Sequence, residues 1–331
     1  MRPSNLIDTL SVMFPAHEPV LLKGAPGVGK TAIVKRACSI CGAKLIISHP
    51  VVNEPIDYKG MPFVQNGHAD FLPFGDLRAL IEARELTVFF LDDLGQAPAA
   101  VQAAAMQLIL ERKINGHEVS PCVTFIAATN RKQDRAGVMG VIEPVKSRFI
   151  TILELTPELE DWVPWALEEK MPVELIAFMR FRPNLLFDFK PTADITNSPC
   201  PRTVANVGRL MKMGLPANTE YEIYSGAAGD GFAAELMGFL KIYRNLTHPD
   251  VILMNPDTAP VAEDPATLYA TCGALARRVS DQTADRICRY ACRMPAEFSV
   301  LLMRDCMQIY PQIVNHREYI AWAAKNNNVL N

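Results

Sequence analysis

Gly24-Ala25-Pro26-Gly27-Val28-Gly29-Lys30-Thr31 follows an apolar run, Val20-Leu21-Leu22, and opens onto Ala32-Ile33-Val34-Lys35-Arg36-Ala37, which has helical periodicity. The context is strand, loop, helix, as a phosphate-binding loop requires. Glycines at these places let backbone N–H groups converge on phosphate oxygens with no Cβ in the way. Gly24, Ala25, Pro26, Gly27, Val28 and Gly29 are therefore expected to cradle a nucleotide. Lys30 is expected to reach its β and γ phosphates and Thr31 to offer its hydroxyl to Mg²⁺, with the dipole of the following helix adding to the attraction.

Working outward, Thr87-Val88-Phe89-Phe90-Leu91-Asp92-Asp93 is an apolar strand that ends in acids. Carboxylates there sit at the C-terminal edge of a parallel sheet, where its ligands bind. Asp92 suits the organisation of Mg²⁺, and Asp93 suits the orientation or polarisation of an attacking water. Val123-Thr124-Phe125-Ile126-Ala127-Ala128-Thr129-Asn130 is a further strand ending in an amide. Asn130 offers a donor and an acceptor together, enough to touch both the γ phosphate and the water. With Lys44-Leu45-Ile46-Ile47-Ser48 and Ile150-Thr151-Ile152-Leu153-Glu154-Leu155, the strands starting at residues 20, 44, 87, 123 and 150 alternate with helices. That pattern predicts an α/β fold, a five-stranded parallel sheet covered on both faces.

Between the strands, Asn5 to Phe14 reads as an amphipathic helix with Ser4 as its N-cap, and Asp76 to Glu85 and Pro98 to Arg112 read as helices. His49 to Gly75 carries four prolines and little periodicity, so it is expected as a long loop that contacts a partner, with Phe63, Phe71 and Phe74 equally able to pin it to the core. Asn115-Gly116 predicts either a short hairpin or a plain connecting turn. From Thr156 onward the strand signal stops. Helices are expected at 157–170, 172–181 and 202–213, with a break at 191–201, and then near 221–224, 232–243, 265–279, 285–293 and 297–310.

The composition narrows the function. A net charge of -3 leaves no chain-wide basic footprint for nucleic acid. No apolar stretch approaches the ~20 residues of a membrane span and no signal-peptide core opens the chain, so a cytoplasmic protein is expected. The eight cysteines read as reduced thiols, and Cys38 and Cys41, a CxxC on the helix after the loop, have no second pair to complete a zinc site.

The order of these motifs resembles the AAA+ ATPases, and within them the MoxR branch, near the CbbQ, NorQ and GvpN type of dynein-related ATPase. The resemblance rests on GAPGVGKT, on VFFLDDLGQAP followed by VQAAAMQLILER, on FIAATNR, on KSRF before the last strand, and on Asp57-Tyr58-Lys59-Gly60-Met61-Pro62. It implies an α/β nucleotide-binding domain over 1–156, a helical lid over 157–215 headed by Pro201-Arg202, and a helical C-terminal region over 216–331. It assigns Lys30 and Thr31 to Walker A, Asp92 and Asp93 to Walker B, Asn130 to sensor 1 and Arg202 to sensor 2. Arg148 takes the arginine-finger position, for which Arg131 and Arg135 compete. A finger acting on a neighbour implies a homo-oligomeric ring, usually a hexamer, with ATP and Mg²⁺ bound.

The same resemblance implies an ATP-driven remodeller of a client, working with a protein that contains a von Willebrand factor A domain. One departure stands out: the second Walker B acid is Asp93 where the family usually has Glu. It is shorter by roughly 1.5 Å, and a misplacement of about 1 Å can cost on the order of 100-fold in rate. A slowly hydrolysing ATP-dependent switch or assembly scaffold is therefore the second reading, and a nucleic-acid motor or loader the third.

Overall fold

The apolar runs of the first half become strands of one sheet. The computed structural model describes residues 1–65, 67–134, 140–192 and 194–326, so Arg135 lies outside the described residues. The chain forms two units, one of Met1–Asp161 with Phe189–Ile195 and Cys200–Arg202, the other of Trp162–Asp188, Thr196–Pro199 and Thr203–Asn331.

The first unit runs α1 (Pro3–Met13), β1 (Val20–Lys23), α2 (Lys30–Cys41), β2 (Lys44–Ser48), α3 (Pro55–Lys59), β3 (Met61–Gln65), β4 (His68–Leu72), α4 (Gly75–Ile81), β5 (Thr87–Leu91), α5 (Ala99–Glu111), β6 (Lys113–Ile114), β7 (His117–Glu118), β8 (Val123–Thr129), α6 (Glu143–Lys146) and β9 (Thr151–Glu154). Five strands form one sheet in the order β2-β5-β8-β1-β9, every neighbouring pair parallel. β5 and β8 are buried along their whole length on both faces, as the continuous apolar runs require. Phe89, Leu91, Phe125 and Ala127 pack with Leu77 and Leu80 of α4 and with Val101, Ala104, Ala105 and Leu108 of α5.

Two local expectations are corrected. The N-cap of α1 is Arg2, not Ser4, and Pro3 takes the first helical position, where its missing N–H costs nothing. The backbone N–H of Ser4 donates instead to Asp161 Oδ2 at 2.9 Å. The segment 49–75 is not a plain loop: it builds α3 and then the antiparallel hairpin β3–β4. Phe63 and Phe71 are half-buried, and Val64 and Leu72 are exposed. Asn115 and Gly116 do form a hairpin, β6–β7, with positive φ at both turn residues. Asn115 Nδ2 donates to the Lys59 carbonyl at 2.8 Å, and His117 Nε2 meets the Phe71 carbonyl at 2.8 Å, so the two hairpins are joined.

From Leu159 the chain is helical: α7 (Leu159–Glu168), α8 (Val173–Phe181), α9 (Pro201–Met211), α10 (Glu220–Ala228), α11 (Asp230–Arg244), α12 (Pro249–Met254), α13 (Pro265–Ala276), α14 (Ala284–Ala291), α15 (Ala296–Ile309) and α16 (Arg317–Lys325). In the second unit, Phe178 of α8 meets Phe232 and Phe239 of α11 with ring centroids 5.4 and 5.6 Å apart. Gly273 lets α13 approach α8: a Cβ there would lie 3.4 Å from Ala177 Cβ and from the Val173 carbonyl. A second apolar core joins α12 through α16 around Leu275, Ile287, Leu302, Met303 and Trp322.

Candidate nucleotide site

The sheet order decides what meets at its C-terminal edge. β8 lies between β1 and β5, so the loop after β1, Asn130 after β8, and Asp92 and Asp93 after β5 come out side by side. Gly24 donates its N–H to the Thr129 carbonyl at 3.2 Å and Asp92 donates its own to the Ser48 carbonyl at 2.9 Å, which extends the ladder into these loops. Gly27 and Gly29 have φ of 76° and 99°, the left-handed region that favours glycine. Gly29 is the N-cap of α2, so Lys30 and Thr31 open the helix with their N–H groups unclaimed by it.

Lys30, Asp92 and Asn130 are only 7%, 8% and 9% exposed. The Lys30 ammonium donates to Asn130 Oδ1 at 2.6 Å and to the carbonyls of Gly24 and Ala25 at 3.0 and 3.1 Å. Burial pushes Lys30 down to about 8, with Asp93 and Asp92 pulling upward and the charge of Arg202 adding to the fall. Thr31 Oγ1 donates to Asp92 Oδ2 at 2.7 Å. Asn130 Nδ2 donates to Asp93 Oδ1 at 3.3 Å, and Gln96 Nε2 donates to the same oxygen at 2.9 Å. One continuous polar chain therefore runs Lys30, Asn130, Asp93, Gln96.

Arg202 joins the site from the far end of the sequence. Its N–H donates to the Gly27 carbonyl at 3.0 Å. A Cβ at Gly27 would lie 2.4 Å from Cys200 Sγ, so Cys200 is seated against the loop and only glycine leaves it room. The Arg202 side chain is exposed. Arg148 does not join: its Nη1 donates to Ser147 Oγ at 3.0 Å and its Nε is buried without a partner among the described residues. Arg131 is engaged elsewhere, its Nε and Nη2 on the two oxygens of Asp134, both at 2.9 Å, and its Nη1 3.5 Å from Glu154. The Asp134 carboxylate holds that guanidinium above its usual range. Sequence reasoning missed Gln96 and Cys200. Gln96 lies inside the quoted VFFLDDLGQAP, but nothing in its spacing marks it as a partner of Asp93.

All eight cysteines are free thiols, Cys38 and Cys41 included. Among the described residues, no group of three or more His, Cys, Asp or Glu could hold a metal ion, and no helix is long and apolar enough to cross a membrane.

The AAA family, the ATPase family associated with various cellular activities, matches residues 20–139. No characterised protein among those compared matches the chain. Among solved structures, the Thermotoga maritima RuvB Holliday junction branch migration motor is 16% identical over 82% of this chain and 81% of its own, with a TM-score of 0.42. A point mutant of the same protein is 18% identical over 82% of each chain, with a TM-score of 0.44. NtrX from Brucella abortus in complex with ATP is 13% identical over 73% of this chain and 63% of its own, with a TM-score of 0.39. The family match is confined to residues 20–139, and the parallel sheet with its flanking helices and helical C-terminal region is the expected P-loop fold.

Proposed function

We propose that this chain is a Mg²⁺-dependent ATPase that works as a homo-oligomeric ring, of the MoxR type and hexameric, and remodels or activates a client through a partner containing a von Willebrand factor A domain. The observation that carries the ATPase reading is the joined set at the sheet edge: Thr31 on Asp92 and Lys30 on Asn130, beneath a loop with two left-handed glycines. The ring, the MoxR type and the partner rest on the motif resemblance.

The residues fit Mg²⁺. Thr31 Oγ1 and Asp92 Oδ2 are hard oxygen donors 2.7 Å apart, and Mg²⁺ takes few protein ligands of this kind, completing its shell with water and phosphate. When bound with ATP, the ion would neutralise charge on the β- and γ-phosphate oxygens. In this reading the backbone N–H groups of residues 27–31 would hold the β phosphate. Lys30 turns from the Gly24 and Ala25 carbonyls to the β and γ oxygens while Asn130 steadies the γ phosphate. Asp93 accepts a hydrogen bond, then a proton, from the attacking water. Arg202 reads the nucleotide from the head of α9. Arg148 of a neighbouring copy supplies the guanidinium that stabilises charge on the transferring phosphoryl group, so that turnover depends on assembly.

The test is ATP turnover against protein concentration, with mass photometry on the same samples, for the parent and Arg148→Ala. Turnover is expected to rise as rings form and to fall by about 10³-fold or more in the variant, which still binds ATP. Rings that bind ATP and never turn over would favour the switch or scaffold. Turnover independent of concentration and indifferent to the substitution would end the ring mechanism.

A further inference from the structure

The second unit contains a cavity of about 650 Å³ in which the nucleotide residues take no part. Tyr224 of α10 lines it and is only 2% exposed; Phe would fill its place without bringing a polar atom inside. Among the described residues, the side-chain polar atoms sealed from solvent without a partner are Gln96 Oε1, Thr124 Oγ1, Arg148 Nε and Trp162 Nε1, and the Tyr224 hydroxyl is not one of them. It makes no hydrogen bond among the described residues either. The hydroxyl therefore keeps accessible surface, and the open space it borders is this cavity. The Tyr243 hydroxyl of α11 is open on the same wall for the same reason. Burial and then the charge of Glu174 push it up to about 12, so it remains a donor at neutral pH.

Two charges complete the wall. Glu174 stands in the first turn of α8 and Arg277 caps the end of α13, so each helix dipole favours the charge beside it. Arg277 Nη1 and Glu174 Oε1 are 3.9 Å apart, too far for a hydrogen bond, and neither side chain makes one elsewhere among the described residues. The other guanidiniums of the wall are engaged: Arg244 Nη2 donates to both oxygens of Glu220 at 2.6 and 2.9 Å, and Arg278 Nη1 lies 3.2 Å from Asp250. The open groups are thus one guanidinium, one carboxylate and two phenols, beside apolar Met211, Leu240 and Ala274.

We propose that this cavity binds a small zwitterion of the α-amino-acid type with an apolar side chain. Its carboxylate accepts from Arg277 and from the Tyr224 and Tyr243 hydroxyls, its ammonium donates to Glu174, and its side chain lies against Met211 and Leu240. A ligand with one charge would serve Arg277 or Glu174 and leave the other without a partner. A phosphate dianion would face the carboxylates of Glu174 and Glu220 on the same wall. An internal stretch of polypeptide offers neither charged end. The site is independent of the ATPase reading, because no residue of the nucleotide site contributes to it.

The experiment titrates L-leucine and L-phenylalanine into the full chain without nucleotide, by isothermal calorimetry, beside N-acetyl-L-leucine and L-leucinamide, which each lack one charge. At least one free amino acid is expected to bind with a Kd below about 1 mM. Each blocked form is expected to bind at least about 10-fold more weakly than L-leucine. Tyr224→Phe keeps the ring and is expected to weaken the free amino acid by about 10-fold. Glu174→Gln is expected to weaken L-leucine by about as much and to leave N-acetyl-L-leucine no weaker, a split that a merely structural role of Glu174 would not produce. Absence of saturable binding of both amino acids up to about 10 mM overturns the proposal. N-acetyl-L-leucine bound as tightly as L-leucine would make this a site for carboxylates alone, and Tyr224→Phe at the parent affinity would place the ligand elsewhere; either overturns it too. Should Tyr224→Phe not fold, Glu174→Gln with the blocked and free ligands decides alone.

Discussion

Asp93 carries two features that act together: a short side chain and a backbone φ of 61°. Aspartate tolerates the left-handed region better than glutamate, because its side chain bonds locally. Its carboxylate already meets Gln96 Nε2 and Asn130 Nδ2. Asp93→Glu is therefore expected to lower stability by about 1 kcal/mol and to slow turnover, since the longer side chain carries its carboxylate past both donors. Thermal melts and single-turnover rates on the same samples check this. A glutamate variant faster than the parent would instead make side-chain length the limit on rate. That Lys30, Thr31, Asp92 and Asn130 meet at one sheet edge was legible from sequence, because a glycine-rich loop after one strand and polar residues ending two others come out together in a parallel sheet. Gln96 was not, because its role depends on a 3₁₀ turn folding it back onto Asp93. Nor was Cys200, whose contact with Gly27 joins stretches far apart in the chain.

Elements were legible where one physical signal dominated. Lys44–Ser48 and Thr87–Leu91 form strands because their short apolar runs suit a sheet covered on both sides. The hairpin β3–β4 was read as loop because Pro62 interrupts it and exposed Val64 and Leu72 blur the alternation; as a two-stranded piece with free edges it can accept a proline. α12 is short, with six residues, too few to show a period, and α16 is held by Trp322, whose indole donates to Ser299 Oγ at 2.7 Å. Burial also creates pairings that no local pattern announces. Arg180, on an apolar face of α8, meets the carboxylate of Asp305 on α15 with both terminal nitrogens, Nη2 to Oδ1 at 2.6 Å. Removing one partner strands the other, so Asp305→Ala is expected to cost about 3–5 kcal/mol. The double variant Arg180→Met with Asp305→Leu should recover most of that, as a lower urea midpoint restored at unchanged slope. If Asp305→Ala costs under about 1 kcal/mol, the pair behaves as a surface bridge and the burial argument fails.

For the whole molecule, the question is where the helical half can be divided. Residues 157–215 and 216–331 differ in the motifs they carry, and Pro201-Arg202 lies in the first stretch. Packing draws a different line, because α8 finds its apolar partners beyond residue 216. Leu175, Ile176, Phe178 and Met179 are all buried, Phe178 against Phe232 and Phe239, and Gly273 admits α13 against Ala177. Each such side chain is worth about 1.5–3 kcal/mol when buried, so losing α11 and α13 takes away more than a small unit can spare. A chain ending at Leu215 is therefore expected to expose the α8 face and aggregate, by size-exclusion chromatography with light scattering, although the whole sheet and the residues at its C-terminal edge are retained. Burying that face again with the α10–α13 segment supplied in trans should return it to solution. A monodisperse 1–215 chain that melts cooperatively and binds ATP with the parent's affinity would mean that α8 holds its fold without those partners, and that the fold of residues 1–215 does not need the helices beyond residue 216.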